Sequence, residues 1–429
     1  MNLIIQSMLD DDLYKFTMGA CVHQHYPDVT AKYRFFCRTK GADFGDVFKD
    51  IKMQVASLAQ LEFKPEELEF LDGLGYLPKG YVNDFLPNFV YEPGRRVRTS
   101  LDASGQLSLE IDGPWEETIL YEVKCLAIIN ELYFKRLVGG ADFADFPDVD
   151  AEAERAFGVG MSKLASKMDR LREYPQIKIA DFGTRRRFSA SWQKYVVARL
   201  VEGLGVPQKG GGRMQLVGTS NVSIARQLGI TPIGTMAHEF VSGHIALVNN
   251  IETAQARAFY TWLQTYKDRL GIALSDTFTT DAFFKDFDGV LARAFSGVRQ
   301  DSGDPFLFCK HMIGHYRGLG VDPRTKTVVF SDGLDVEMAR GLWMRFAGEI
   351  GMSFGIGTNL TNDLGFDPLQ IVIKMVECNG KPVAKLSDDS GKNTGDGGVV
   401  RELQKAYRLT APLFPTEKEG APIDEDPRV

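Results

Sequence analysis

The chain has 429 residues, of which 44% are apolar and 25% are charged, and its formal net charge is −7. This composition is typical of a folded enzyme with a large core, and the acidic balance argues against a general role in binding nucleic acid or anionic membranes. The five cysteines are scattered without a C-x-x-C pair, which favours a reducing, cytoplasmic setting over a disulfide framework or a thiolate metal site. Neither a signal peptide nor a membrane span is predicted.

Residues 1–145 are predicted to form an N-terminal α/β domain with an antiparallel sheet. Tyr33, Phe35 and Cys37 alternate with charged residues, which is the period of a strand. Helical patterns cover 10–26, 44–60, 65–71 and 118–137, and strand patterns cover 32–38, 89–99 and 107–111. A linker rich in glycine, aspartate and proline is expected at 139–149.

Residues 146–368 show alternating strand and helix patterns, which are typical of a parallel α/β barrel with its site on one rim. Strands are expected near Ile177, Met214, Pro232, Gly271, Gly297, Thr327 and Met352. Because ordinary barrels have eight strands, seven predict an incomplete or irregular barrel. Residues 369–429 are predicted to add a hairpin with an Asn-Gly turn, and a helix, to the N-terminal domain. The tail after Ala411 is expected either to dock or to be loose.

Polar residues and glycines follow each predicted barrel strand. The first loop carries three consecutive arginines, Arg185 to Arg187, whose charges repel unless anions or carboxylates lie among them. We expect at least one of them to form a structural salt bridge. Acidic residues after later strands suit a ligand rich in hydroxyl groups or one that carries a divalent cation. Gly355 and Gly357 follow the last strands, where barrels commonly bind phosphate.

Each of these signals is weak alone. Asp181 could simply cap a helix, and Phe182 could be a core aromatic residue. The chain has neither a P-loop nor a dinucleotide-binding glycine motif. His238 and His244 are six residues apart, a spacing that does not predict a two-histidine zinc site.

Taken together, the loops resemble the nicotinate phosphoribosyltransferases, a family of type II phosphoribosyltransferases. The resemblance rests on Asp181–Ser189, Gly218–Asn221, Gly234–Glu239, Asp301–Pro305 and Phe354–Thr358, and it extends from Asp12–Lys15 to Val376–Asp388. It implies an irregular seven-stranded α/β barrel packed on an N-terminal α/β domain. It also implies that nicotinate and phosphoribosyl pyrophosphate form nicotinate mononucleotide and pyrophosphate, the entry step of NAD salvage. ATP hydrolysis would be coupled to this step, and Mg²⁺ would accompany the pyrophosphate or the ATP.

The resemblance also implies roles for individual residues. Phe182 and Tyr14 would sandwich the pyridine ring, with Tyr14 reaching in from a second subunit of a homodimer, and Arg185 would hold the nicotinate carboxylate. His238 and Asp301 would be catalytic, and His238 would take a phosphoryl group from ATP. The remaining substrate-binding residues would be Thr219, Ser220, Arg299, Asp332, Gly333, Gly357 and Thr358. No metal ion held by the protein itself is predicted.

Three other interpretations stay open at this stage. A nicotinamide or quinolinate phosphoribosyltransferase could use the same fold, although related nicotinamide enzymes have an aspartate where Ser220 stands, and a carboxylate there would repel nicotinate. A sugar-phosphate aldolase or isomerase would need a Schiff-base lysine or a catalytic carboxylate, and Lys178 and Lys374 are the lysines to consider. A barrel without activity could serve as a binding or scaffold protein.

Overall fold

The fold combines an antiparallel sheet, a parallel sheet and the helices that cover them. The structure is a computed structural model that describes residues 3–207, 214–388 and 393–408. The strands are β1 Thr30–Cys37, β2 Val97–Leu101, β3 Leu107–Pro114, β4 Ile179–Asp181, β5 Leu216–Thr219, β6 Ile272–Leu274, β7 Gly297–Gln300, β8 Thr327–Phe330, β9 Gly351–Ile356, β10 Ile371–Cys378, β11 Lys381–Pro382, β12 Ala384–Lys385 and β13 Thr394–Gly395. The helices are α1 Leu13–His25, α2 Phe48–Ser57, α3 Pro65–Gly73, α4 Pro93–Arg96, α5 Trp115–Thr118, α6 Glu122–Leu137, α7 Ala151–Glu173, α8 Ala190–Leu204, α9 Val222–Leu228, α10 His238–Gly243, α11 Ala254–Tyr266, α12 Thr280–Asp286, α13 Gly289–Ala294, α14 Pro305–Gly318, α15 Val336–Phe346, α16 Thr358–Thr361 and α17 Gly397–Ala406.

The antiparallel sheet has five strands in the order β11-β10-β1-β3-β2. Its central strand β1 buries Tyr33 and Phe35 on one face, as the alternation in the sequence predicts. Strand β10 returns from the C-terminal part of the chain and pairs with β1, placing Ile373 opposite Phe35. The turn after β10 has positive φ at Asn379 and Gly380, as a type I′ hairpin turn requires. The domain boundaries proposed from the sequence stay predictions.

The strand expected over residues 89–99 begins later than predicted. Pro93–Arg96 form a helical turn, and β2 starts only at Val97. Proline has no N–H to donate to a ladder, and its fixed φ suits the first turn of a helix. The pattern of apolar residues therefore predicted the strand but not its start.

The parallel sheet has six strands in the order β5-β4-β9-β8-β7-β6, so a seven-stranded barrel is not confirmed for the described residues. The strand expected at Pro232 is reduced to one parallel bridge with Thr219, where the N–H of Ile233 donates to the Thr219 carbonyl at 2.9 Å. Pro232 itself cannot donate. Beyond it, the Thr235 hydroxyl donates to the Ile272 carbonyl at 2.9 Å. An irregular segment therefore lies between β5 and β6.

The segment predicted as a linker is packed rather than open. The ring of Phe143 stacks on Phe146 with centroids 5.8 Å apart and meets Trp192 edge-on at 4.9 Å. Aromatic contacts of this kind hold the segment against α8. Among the described helices, none is both long and apolar enough to cross a bilayer. The tail after Ala411 lies outside the described residues.

Candidate active site

The carboxyl ends of the parallel strands and one face of the antiparallel sheet line a cleft of about 1320 Å³, part of which is open to solvent. Most of the predicted site residues line it: Tyr14, Phe182, Arg185, Ser220, His238, Arg299, Asp301, Gly333, Gly357 and Thr358. Further charged residues that the sequence interpretation did not place in this site also line it: Asp12, Glu122, Arg186, Glu239, Lys374 and Lys385.

Two predicted site residues lie behind the wall of the cleft or beside it. Thr219 is fully buried, and its hydroxyl donates to Asp181 at 2.7 Å, so it braces the loop after β4. Asp332 is half-buried and lies between Ser331 and Gly333, which both line the cleft. The binding roles given to Thr219 and Asp332 stay predictions.

The three consecutive arginines have three different environments. Arg187 is buried and forms a two-pronged ion pair with Asp10, with N–O distances of 2.6 and 2.8 Å. Burial alone would raise the pKa of Asp10, but the Arg187 charge lowers it below its usual value. Arg186 is half-buried and donates to Gln370 at 3.0 Å. The salt bridge expected for at least one of these arginines is the one made by Arg187.

Arg185 differs from Arg187 because it has no such partner. Its half-buried side chain lines the cleft, and within residues 3–207, 214–388 and 393–408 it makes no hydrogen bond and no ion pair with a carboxylate. Burial alone would lower its pKa, but Tyr14, Glu122 and other groups raise the pKa above its ordinary value, so the guanidinium stays charged. A cation held in a cleft without an internal partner is ready to bind an anion.

A slot for a flat ring lies beside Arg185. Phe182 follows β4, and Gly355 makes room for it, because a Cβ added at Gly355 would lie 2.4 Å from the Phe182 ring. Tyr14 lines the same cleft from the start of α1, where the N–H of Leu13 donates to the Ser220 carbonyl at 2.8 Å. Tyr14 and Phe182 of this chain therefore line the same cleft, and a contribution of Tyr14 to the cleft of a second subunit stays a prediction.

A carboxyl group lies close to Ser220. The Ser220 hydroxyl donates to Asp12 at 2.6 Å, and burial raises the pKa of Asp12 although this hydrogen bond opposes the shift. The sequence interpretation missed Asp12 because an acidic residue before a helix predicts an N-cap. Asp12 is the N-cap residue of α1, but its side chain makes no capping hydrogen bond.

His238 is the centre of a second polar network in the cleft. Its Nδ1 lies 3.1 Å from the Thr277 hydroxyl, and its Nε2 lies 3.0 Å from Asp301 and 3.1 Å from the Lys385 ammonium group. Burial and the Lys385 charge lower the pKa of His238 to about 4. The imidazole is therefore neutral near pH 7 and has a lone pair on one nitrogen.

His238, Asp276 and Asp301 each offer a ligand atom within 4.8 Å of the others, as a metal site would. The Lys385 ammonium group lies 3.0 Å from Asp276, however, and already supplies the positive charge that these carboxylates need. A resident metal ion would compete with this lysine. The sequence showed that Asp276 follows a strand, but Lys385 comes from a distant hairpin and carried no local signal.

Lys374 contributes another cation to the cleft wall. It lies on β10, is half-buried, and has no carboxylate within 4 Å in the part of the chain that the structure describes. Burial and the neighbouring charges of Lys385 and Arg185 lower the pKa of Lys374 to about 8. Among the described residues, the cleft thus contains three cations without a carboxylate within 4 Å, namely Arg185, Arg186 and Lys374.

An α/β fold, a neutral buried histidine and cations without internal partners define an enzyme whose cleft gathers anionic substrates. Family models for the nicotinate phosphoribosyltransferase (NAPRTase) family and for its N-terminal domain match residues 177–411 and 9–130. The chain belongs to the nicotinate phosphoribosyltransferase family.

Individual relatives and solved structures agree with this assignment. The chain is 44% identical over 411 residues to the nicotinate phosphoribosyltransferase of Cupriavidus necator, covering 95% of this chain and 99% of that one. It is also 44% identical over 416 residues to that of Xylella fastidiosa, covering 96% and 100%. Its fold is similar to the crystal structure of the Vibrio cholerae enzyme of this name, with a TM-score of 0.85, 37% identity and 95% coverage of both chains.

Proposed function

We infer that this protein is a nicotinate phosphoribosyltransferase, which joins nicotinate to the ribose of phosphoribosyl pyrophosphate and releases pyrophosphate. The observation that carries this inference, beside the family, is Arg185: a charged guanidinium in the cleft without an internal carboxylate partner, next to Phe182 and Tyr14. Such a group binds a carboxylate in a bidentate pair, and the two aromatic rings stack on a pyridine. The product, nicotinate mononucleotide, enters NAD biosynthesis.

The same geometry favours nicotinate over the other two bases. Nicotinamide is neutral, so it would leave the Arg185 charge uncompensated in the cleft. Quinolinate carries a second carboxylate, which would meet the carboxyl groups of Asp12 and Glu122 in the cleft wall. Nicotinate has the single carboxylate that Arg185 would bind, without the second one.

Phosphoribosyl pyrophosphate would bind along the rest of the rim, with Mg²⁺ arriving as part of this substrate. Gly333 and Gly357 let backbone N–H groups approach phosphate oxygens, and Arg299 and Lys374 supply positive charge. As the bond from ribose C1 to pyrophosphate breaks, positive charge develops on the ribose and negative charge on the leaving group, which these cations stabilise. The pyridine nitrogen then attacks C1 with its lone pair, and no general base is needed because this nitrogen carries no proton.

His238 is the group we propose for coupling to ATP. A lone pair of the neutral imidazole attacks the γ-phosphorus of ATP, the bond to the β-phosphate oxygen breaks, and ADP leaves with that electron pair. The phosphoryl group on His238 then adds negative charge beside Arg299 and Lys385 and changes how the cleft holds pyrophosphate.

Labelling with γ-³²P ATP tests this assignment. The wild-type chain is expected to take up acid-labile label, while the His238→Gln variant takes up none and loses the stimulation of product formation by ATP. His25→Gln is the control, because His25 contacts Thr265 outside the cleft. Full ATP stimulation in His238→Gln would contradict the phosphohistidine role, and comparison of turnover with nicotinate, nicotinamide and quinolinate tests the choice of base.

The aldolase interpretation has lost its support. Lys178 does not line the cleft, and Lys374 lies on β10 of the antiparallel sheet rather than on a barrel strand. The family assignment and the paired charges around His238 also argue against an inactive barrel. The homodimer and the cytoplasmic location remain proposals, the latter supported by five cysteines that are all free.

A further inference from the structure

Two groups make opposite demands on the Nε2 atom of His238. Asp301 lies 3.0 Å away and accepts a hydrogen bond only if Nε2 carries the proton. The ammonium group of Lys385 lies 3.1 Å away and donates only if Nε2 has the lone pair. A neutral imidazole has one ring proton, so one of these two hydrogen bonds must be absent.

The other partners of the two groups decide between the tautomers. Asp301 already accepts hydrogen bonds from Arg299 at 3.2 Å and from Ser331 at 2.7 Å. Lys385 has one carboxylate partner within 4 Å in the described ranges, Asp276, and three N–H groups to satisfy. A proton on Nε2 would point toward the cationic ammonium group and leave an N–H of Lys385 without an acceptor.

The surroundings of Nδ1 are compatible with the tautomer that carries its proton on this nitrogen. The Thr277 hydroxyl, 3.1 Å from Nδ1, can accept a hydrogen bond as readily as donate one, because it can rotate. With the proton on Nδ1, the imidazole donates to Thr277 and accepts from Lys385. Only the contact between Nε2 and Asp301 is then unfavourable.

A backbone hydrogen bond joins the two segments that carry Lys385 and Thr277, the partners of His238. The N–H of Leu386 donates to the Thr277 carbonyl at 3.0 Å, so the residue after Lys385 is bonded to the residue that faces Nδ1. Asp388 accepts from the N–H of Thr280 at 2.8 Å and extends this attachment. The hairpin that carries Lys385 is therefore held in register with the loop that carries Thr277.

We propose that Lys385 is a positioning residue that keeps the proton of His238 on Nδ1 and the lone pair on Nε2, so that Nε2 is the atom that attacks ATP. This proposal rests on the proposed phosphohistidine. When Nε2 forms its bond to the γ-phosphorus and ADP departs with the electrons of the broken P–O bond, the Nδ1 proton stays on the ring facing Thr277. The ammonium group loses its acceptor and pairs with an oxygen of the new phosphoryl group.

The test measures the tautomer directly, in ¹⁵N-histidine-labelled protein without any ligand. Long-range ¹H–¹⁵N spectra near pH 7, with the His238 signals assigned from the His238→Gln variant, distinguish the protonated ring nitrogen from the one with the lone pair. The wild type is expected to have its proton on Nδ1. Lys385→Met is expected to move the proton to Nε2, facing Asp301, and to slow labelling by ATP by about 10²-fold or more. A wild-type ring with the proton on Nε2 would overturn the proposal without any variant.

Matched variants separate positioning from damage to the fold. Lys385→Arg keeps a donor and should retain the wild-type tautomer. Lys381→Met removes a lysine four residues earlier in the chain that does not line the cleft, and it should change nothing. An unchanged tautomer in a folded Lys385→Met protein also overturns the proposal. If the wild type takes up no label, the phosphohistidine proposal is wrong. The spectra then still decide, independently of labelling, which ring nitrogen of His238 carries the proton.

Discussion

Two groups of charges that line the cleft differ in whether they have partners within the protein. Beside His238, Lys385 pairs with Asp276, and Arg299 pairs with Asp301, so these four charges have partners within the protein. Arg185, which lines the same cleft, has no carboxylate within 4 Å among the described residues. These paired charges are held in position before any substrate arrives, which is the arrangement that stabilises a transition state. A cation such as Arg185, without a carboxylate partner among the described residues, needs an anion from outside and is therefore suited to binding a substrate. The comparison teaches that a cation without a carboxylate partner among the described residues is a candidate for binding an anion, whereas paired charges hold the surroundings of His238 in place.

The largest expected effect comes from an arginine whose partner is internal. Arg187→Met removes the buried ion pair and leaves Asp10 unpaired, so we expect a loss of about 3–5 kcal/mol in the free energy of unfolding. Urea denaturation at pH 7 measures it. Because Arg187 lowers the pKa of Asp10 in the folded protein, this stabilisation is complete above pH ~4 and is lost as the pH falls through the lowered value. The difference between variant and wild type should therefore shrink in acid.

A second effect concerns Arg185 itself. Arg185→Gln should weaken nicotinate binding by about 2–5 kcal/mol, because a charge-assisted carboxylate contact is lost, and raise the KM for nicotinate by roughly 30-fold or more. Its free energy of unfolding should stay within ~0.5 kcal/mol of the wild type, since no internal pair is broken. Steady-state kinetics and urea denaturation of the same preparations check both statements. If Arg185→Gln lost stability while its KM for nicotinate stayed unchanged, Arg185 would be a structural residue and not a substrate-binding one.

The smallest effect concerns pH. Lys374 has a pKa of about 8 in the free protein, lowered first by burial and then by Lys385 and Arg185. Its amine loses its charge as the pH rises through 8, so anion binding should weaken and the KM for phosphoribosyl pyrophosphate should rise several-fold between pH 7 and 9. The phosphates of this substrate titrate near pH ~6 and do not contribute.

Lys374→Gln provides the matched control for this pH profile. The variant should have a higher KM for phosphoribosyl pyrophosphate than the wild type at pH 7. Its KM should not rise between pH 7 and 9, because the titrating amine is gone. An identical profile in the variant and the wild type would remove Lys374 from the binding site.

Much of the cleft could be predicted from the sequence, because the loops after parallel strands meet at one edge of a sheet. The residues of Asp181–Ser189 and the position of His238 after an irregular strand follow from that rule. Pattern alone could not separate Arg185 from Arg187, since the partner of Arg187 is 177 residues away in sequence.

The contributions of Asp12 and Lys385 depend on long-range packing of the N-terminal segment and the C-terminal hairpin. No local pattern indicates such contacts. The strand predicted near Pro232 is reduced to a single bridge in the described sheet. Proline has no N–H to donate to a strand ladder, and the prediction from the sequence pattern gave this too little weight.

The pairing of β10 with β1 has a consequence for biosynthesis. While the ribosome is still adding residues before Ile371, the edge of β1 has no neighbour on that side, and both Lys374 and Lys385 are absent from the pocket. A product that ends before β10 would lack two lysines that line the cleft and would leave the edge of β1 unpaired. The lining of the cleft is therefore completed only after translation has passed β10 and β12.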